Sequence, residues 1–480
     1  MLPRVAISSG LAALLLLPMG CAPAHDTADP DLRPNIIFIV TDDQRFDMLG
    51  TVNPLLHTPQ MDRLAAAGIR FEHAFVTTSI CAASRASLLT GTVERTHRFT
   101  FNTPPLSRSM TDQSYATLMR AAGYRTGFVG KFGMVVEPGA IDTMFDAFIP
   151  LDRNPYFKVQ ADSSLRHLTD ITGDEAIAFL RANPPGQPFM LTVSFNAPHA
   201  EDSDEQQYFW PTAMDGLYQD TTIPDPPLSD PAFFEALPAF LKDPEINMNR
   251  YRWFWRFDTP EKAKRMTRGY FRMISGVDAA IGRVRDELER LDLADNTVLI
   301  LMGDNGYFLG ERGYAGKWLP YEPSIRVPLL VFDPRRSSLA GLQPTQMVLN
   351  IDIAPTLLDL AGLPIPAVMQ GRSLVPLLRG EEPEDWRTDF FVEHLMEHKQ
   401  IVKHEGVRGQ RYKYARYFEL DPVYEELYDL ETDPLETKNL ARDPAYAEVL
   451  ARLRTRCDEL RDRYGGPYVR DPNTQPALPP

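Results

Sequence analysis

Two stretches of this chain end alike. Asn35-Ile36-Ile37-Phe38-Ile39-Val40 runs straight into Thr41-Asp42-Asp43-Gln44, and Thr297-Val298-Leu299-Ile300-Leu301-Met302-Gly303 delivers Asp304-Asn305-Gly306. Each is a continuous apolar run rich in β-branched residues, which reads as a strand buried on both faces and so as part of a sheet covered by helices on both sides. Carboxylates crowded at the C-terminal end of such a strand repel one another and are costly to desolvate, so a cation or an arginine cluster is expected beside them. Asp42-Asp43 taken alone is equally a solvated turn. Together with Asp304 and Asn305 it makes an all-oxygen set, suited to Ca²⁺ or Mg²⁺ and not to zinc.

Between these runs lies Cys81-Ala82-Ala83-Ser84-Arg85, continuing as Ala86-Ser87-Leu88-Leu89-Thr90-Gly91. A lone cysteine here is most simply a small buried thiol at a helix start. The stretch resembles the maturation and catalytic signature of the sulfatase family, and further landmarks follow in that family's order. Thr58 to Ala65, Gly68-Ile69-Arg70-Phe71, Ser275 to Leu291, Asn350 to Leu358, and Glu426 to Pro434 with Asn439-Leu440-Ala441 all look like family segments. Only residues 201 to 265 have no assignable counterpart.

The resemblance implies that Cys81 is oxidised to formylglycine by a maturation enzyme, and that the hydrated aldehyde is the nucleophile. It implies metal ligands at Asp42, Asp43, residue 81, Asp304 and Asn305, with one Ca²⁺ preferred over Mg²⁺. It also implies sulfate-binding and proton-transfer roles for Arg85, Lys131 in Gly130-Lys131-Phe132-Gly133, His199 in Ala197-Pro198-His199, and Lys317 in Gly316-Lys317-Trp318. Arg85 follows Cys81 by about one helical turn, so both can face one cavity. One hydroxyl of the hydrate would attack sulfur, Arg85 and Lys131 would stabilise the equatorial oxygens, and His199 or Lys317 would protonate the leaving alcohol. One position departs. Where the family has a histidine two residues after the first lysine, this chain has Gly133. The base for the second half-reaction is then open among Asp43, Asp304 and His97.

Three carboxylates, a divalent ion and three cationic side chains leave the pocket two charges positive before any histidine is counted. Sulfate and phosphate monoesters are both attracted to such a pocket. The favoured function is an exported sulfatase acting on a sulfated carbohydrate. Alternatives are a phosphonate monoester or phosphodiester hydrolase with the same nucleophile, and a non-catalytic binder of sulfated glycans suggested by Gly133.

The composition, 44% apolar and 24% charged over 480 residues, is that of a soluble globular protein larger than one ordinary core. A net charge of −15 argues against nucleic acid and anionic membrane surfaces as partners. Residues 1–24 read as a signal peptide, with Arg4 before the apolar run Leu11 to Leu17, which is too short to span a bilayer. Pro18-Met19-Gly20-Cys21 resembles a lipoprotein cleavage site, so a lipid on Cys21 would be the one membrane attachment. Export to the periplasm, outer membrane or medium of a bacterium is therefore expected. With Cys81 converted, Cys457 is a packing residue and no disulfide framework exists.

The expected fold is α/β: residues 33–378 carry a large, mostly parallel or mixed sheet flanked by helices, like the alkaline-phosphatase superfamily, with the site at the C-terminal strand ends. Residues 384–480 are expected to form a small subdomain with an antiparallel sheet and a final helix near 445–464. The Pro- and aromatic-rich segment 201–265 reads as a lid or substrate loop, or as rings that merely pack on the core. From it Arg252 and Trp253 are substrate-binding candidates, joined by His97, Glu393, His394 and Arg408.

Overall fold

A computed structural model describes residues 33–469, so the N-terminal signal reading and Cys21 lie outside the described residues. The central sheet has seven strands in the order Ile69–Arg70, Leu329–Phe332, Thr297–Gly303, Asn35–Thr41, Phe189–Ser194, Arg125–Gly130, Ala147–Pro150. The last five run parallel, while Leu329–Phe332 and then Ile69–Arg70 are added antiparallel at one edge. The sheet is therefore mixed, as the sequence suggests.

Strand Asn35–Thr41 is buried at every residue because both its faces are covered. Ile36, Phe38 and Val40 point into one core with Ala82, Leu89, Met119 and Leu357 from helices Cys81–Thr90, Tyr115–Ala121 and Ile353–Leu360. Ile37 and Ile39 point into the other with Met61, Phe179 and Ile274 from Pro59–Ala67, Leu168–Arg181 and Pro260–Arg290. Alternation along an extended strand thus feeds two cores from one continuous apolar run.

The helix before strand Thr297–Gly303 starts well ahead of the family-like segment Ser275 to Leu291. It begins at Pro260, with the Thr259 hydroxyl accepting from the Lys262 amide and proline in the first turn. Its first turns lie in the segment that had no counterpart, where polar residues mask the apolar stripe.

Residues Asp389–His394, His404–Gly409, Tyr412–Tyr417 and Tyr424–Asp429 form an antiparallel sheet in sequence order. Helix Ala447–Tyr464 packs on it through Leu450, Leu453, Cys457 and Leu460. Cys457 is a free, buried packing residue. This sheet is no detached module: Phe390 and Val392 belong to the main core, and the Glu393 amide donates to the Thr77 carbonyl at 2.9 Å. No described helix is long and apolar enough to cross a membrane.

Candidate functional site

Register assembles the site. Thr41 pairs with Gly303 in the parallel ladder, so Asp42-Asp43 and Asp304-Asn305 leave adjacent strands side by side. Gly130 pairs with Ser194 two strands along, which brings Lys131 and the Asn196 to His199 turn to the same edge. The crevice beyond the C-terminal ends of parallel strands is where α/β sheets place ligands.

Cys81 opens a helix whose residues are all buried. Behind it, Arg85 donates from Nε to Asp304 Oδ2 at 2.8 Å and from Nη1 to the Lys131 carbonyl at 2.6 Å and Ser194 Oγ at 2.5 Å. Lys131 pairs with Asp42 and Lys317 with Asp43. The Asp43 amide donates to Asp304 Oδ1 at 3.1 Å, and Asn305 donates to Asp43 at 2.6 Å. Cys81, Asp42 and Asp304 each bring one potential ligand atom to within 4.8 Å of one another, as do Asp42, Asp43 and His199.

Burial and neighbouring charges act against one another at these carboxylates. Burial and the neighbouring Asp42 charge push Asp304 up to about 6 despite Arg85, Lys131 and Lys317. For Asp42, burial acts upward, but Lys131, Lys317 and Arg85 outweigh it and hold the carboxyl below its ordinary value. Burial opposes charge on Lys317, yet Asp43 keeps its ammonium firmly protonated. Asp42 Oδ1, Asp43 Oδ2 and Asn305 Oδ1 are buried without a hydrogen-bond partner. Orphaned buried acceptors of this kind call for a partner, and three oxygens from two strand ends fit a hard divalent cation. Arg85 Nη2 is likewise buried and unpaired, leaving a donor for an anionic ligand.

His199 is held neutral by burial and by Arg153, Lys317 and Lys131. Its Nδ1 lies 2.6 Å from Arg153 Nη1 and 2.7 Å from the Ala200 carbonyl, and can satisfy only one of them. The charged donor makes the stronger bond. That assigns the proton to Nε2, which lies 3.5 Å from Asp43 Oδ2.

Gly133 takes φ +68°, and a Cβ there would sit 3.0 Å from Arg85 Cδ and 3.4 Å from Lys131 Cε. The left-handed backbone and the crowding together exclude an unstrained side chain at the position that departs from the family.

A cavity of about 690 Å³ opens onto Cys81, Lys131, His199 and Lys317. Its wall includes Phe101, Phe132, Met134, Phe148, Met248, Trp318 and Met396, with Asn196, Arg153, Asp202, Arg252 and His398 as polar members. The segment 201–265 thus reaches the cavity through Asp202, Met248 and Arg252. Helix Met248–Arg256 also steadies the Lys317 loop, with Asn249 Nδ2 donating to the Lys317 carbonyl at 2.7 Å and Arg252 lying 5.0 Å over the Trp318 ring.

The other substrate candidates are placed elsewhere. Trp253 lies beneath the Arg250 guanidinium, 4.0 Å from it, and is absent from the cavity wall. His97 is buried with Nε2 3.1 Å from Ser87 Oγ and Nδ1 accepting from the Phe99 amide; burial lowers it to about 3, so it is no base for the cavity. Glu393 is buried against Arg95, His394 stacks on His404, and Arg408 pairs with Glu322 and faces a second cavity near Arg326. These three sit on the small sheet, and Glu393 and Arg408 reach across the join to Arg95 and Glu322 of the large part. Arg153, Asn196, Asp202 and His398 were not singled out from sequence. Arg153 and His398 sit in irregular turns with no periodic signal; Asn196, three residues before His199, was within reach of the strand-end argument.

A sulfatase family model matches residues 34–363, and one described as N-sulphoglucosamine sulphohydrolase, C-terminal, matches 310–463. The N-acetylglucosamine-6-O-sulfatase of Bacteroides thetaiotaomicron is 27% identical, covering 96% of this chain and 92% of its own. A solved structure described as bound to its substrate D-glucosamine-2-N,6-O-disulfate superposes with a TM-score of 0.75 at 26% identity, covering 90% of this chain and 98% of that one. The phosphonate monoester hydrolase of Agrobacterium radiobacter shares the fold, with a TM-score of 0.75 at 24% identity over 90% of this chain and 96% of that one.

Proposed function

The chain belongs to the sulfatase family, and from that premise we propose that it is an exported enzyme removing sulfate monoesters from sulfated amino sugars of the glycosaminoglycan kind. It is a sulfuric ester hydrolase by its relatives. We assign it a formylglycine made from Cys81 and a Ca²⁺ ion. The carrying observation is the convergence of Cys81 with Asp42 and Asp304 beside three unpaired buried oxygens.

Asp42, Asp43, Asp304 and Asn305 would hold the ion, which supplies positive charge to the nucleophile and to the sulfuryl oxygens. The oxidised residue 81 supplies a hydrated aldehyde as nucleophile, so sulfate leaves by carbon–oxygen cleavage and the aldehyde is restored. The remaining steps belong to side chains present in the chain. Arg85, fixed through Nε on Asp304, offers its free Nη2 to an equatorial oxygen. Lys131 and Lys317 pair with Asp42 and Asp43, and with those carboxylates holding the ion their ammonium groups would be free to bond substrate oxygens. Lys317, kept protonated beside Asp43, gives the proton to the leaving sugar oxygen, while neutral His199 hydrogen-bonds that oxygen from Nε2, the tautomer that Arg153 keeps. With residue 133 a glycine, the base of the second half-reaction falls to Asp43 or to Lys317 once it has given up its proton.

The test is mass spectrometry of the Cys81 peptide from a maturation-competent host, where a fragment about 18 Da below the thiol form is expected. It is paired with sulfate release from 6-O-sulfated N-acetylglucosamine. An unmodified thiol in fully active protein would overturn the nucleophile. Cys81→Ala and Cys81→Ser are both expected to abolish turnover. The fold shared with a phosphonate monoester hydrolase keeps a second reading open to assay: sulfate and phosphonate esters of one phenol, tested in parallel, separate the two by kcat/KM.

A further inference from the structure

The catalytic cavity carries more positive charge than a single sulfate requires. Beside His199, three guanidinium groups converge on one carboxylate. Arg256 bonds Asp202 Oδ1, Arg252 Nη2 lies 3.1 Å from Asp202 Oδ2, and Arg153 Nη2 lies 3.8 Å from the same oxygen. Arg256 is wholly buried and Arg252 is 3% exposed, so two positive charges in excess are held largely out of water. Buried charge without a counter-ion is expensive.

Two of the three are accounted for. Arg256 also donates to Gln207 at 2.8 Å and to the Tyr307 hydroxyl at 2.5 Å, and Arg153 spans Asn154 and His199. Arg252 is different. It lines the cavity, its ring contacts are Trp318 and Trp255 at 5.0 and 5.8 Å, and its buried Nε has no acceptor. His398, from the far subdomain, lines the same cavity within electrostatic reach of Arg252. Its Nδ1 accepts from the Gln400 amide at 3.1 Å, which leaves Nε2 carrying the proton as a donor.

We propose that Arg252, with His398, forms a second anion subsite next to the scissile sulfate, so that the substrate is a sugar bearing a second sulfate or a carboxylate. This deepens the sulfatase reading and rests on it. An anion on Arg252 supplies the missing counter-charge and the missing acceptor together, and Trp318 beneath the guanidinium fixes its plane. Asp202 tethers Arg252 through Nη2, so the guanidinium is held in place before any ligand arrives.

The experiment compares kcat/KM of the matured full-length enzyme on 6-O-sulfated N-acetylglucosamine, N,6-O-disulfated glucosamine, and a 6-O-sulfated glucosamine linked to a uronate. A preference for one doubly anionic sugar is expected, and its identity tells sulfate from carboxylate. Arg252→Gln should lower that preference by about 10- to 100-fold, the worth of one charge-assisted hydrogen bond, largely through KM. Arg252→Lys should recover part of it. Equal handling of singly and doubly charged sugars by wild type, or an unchanged ratio in folded Arg252→Gln, overturns the subsite. Calorimetric binding to Cys81→Ala protein separates this from failure of the sulfatase reading. If no sulfated sugar is hydrolysed yet the doubly anionic one binds more tightly through Arg252, the subsite stands and the activity assignment falls; binding that ignores the second anion sinks the subsite itself.

Discussion

At the level of single side chains, Gly133 and Asp304 set the sharpest expectations. A methyl group at 133 meets Arg85 Cδ at 3.0 Å on a backbone with φ +68°, and Arg85 orients Asp304. Gly133→Ala should therefore cost about 1 kcal/mol of stability and lower kcat by moving Arg85, as thermal melts and steady-state kinetics would register. Restoring the family's histidine there should harm the enzyme and not improve it. Asp304 titrates near 6 because burial and Asp42 oppose its charge. Its folded value lies above the unfolded one, so its ionisation costs stability progressively as pH rises from about 4 through 6. A bound cation offsets that cost only when the carboxylate is ionised. The gain in melting temperature on adding Ca²⁺ should consequently be larger at pH 7.5 than at pH 5, and Asp304→Ala should erase it at both. Direct metal titration at the two pH values is the check.

At the level of strands and helices, the carboxylate pairs were legible because each follows a continuous apolar run, and a buried parallel strand admits few other readings. Cys81, Arg85, Lys131, His199 and Lys317 were legible for a different reason, through family motifs at strand and helix ends. What escaped was whatever depends on which way a turn points. Arg153 and His398 carry no periodicity, and Glu393 and Arg408 were assigned to the pocket although pairing within the small sheet aims them at Arg95 and Glu322. Their pairing yields a prediction. Arg95, on the short helix Glu94–His97 that follows Cys81–Thr90, bonds Glu393 at 2.8 Å, Glu405 at 2.7 Å and the Gly466 carbonyl at 2.6 Å. Removing one member of a buried ionic cluster strands its partners, so Arg95→Ala should lose about 3–5 kcal/mol in denaturant unfolding. Replacing Arg95 and Glu393 together with apolar residues should lose less, because Glu405 keeps its partner Arg416.

On the scale of the whole chain, the small sheet reaches into one of the two cores of the large sheet. Phe390 and Val392 are packed among residues of the large sheet's helices, and His398 reaches from the far side into the catalytic cavity. A protein ending at residue 383 would expose that apolar surface, and should be recovered only as aggregate, as sedimentation and near-ultraviolet circular dichroism would reveal. The acidic body, at −15 overall, leaves the cluster around Arg252 as a local exception within a field that otherwise repels anionic sugars.

The burial of the segment that opens with Cys81 also bears on timing. Cys81 is 8% exposed, and Ala82 to Thr90 are buried as well. A modifying protein that must grip several consecutive residues has nothing to hold once this helix has docked. The oxidation we propose for Cys81 would therefore have to precede docking of this helix, and protein folded with the thiol intact should resist conversion by a maturation enzyme added afterwards.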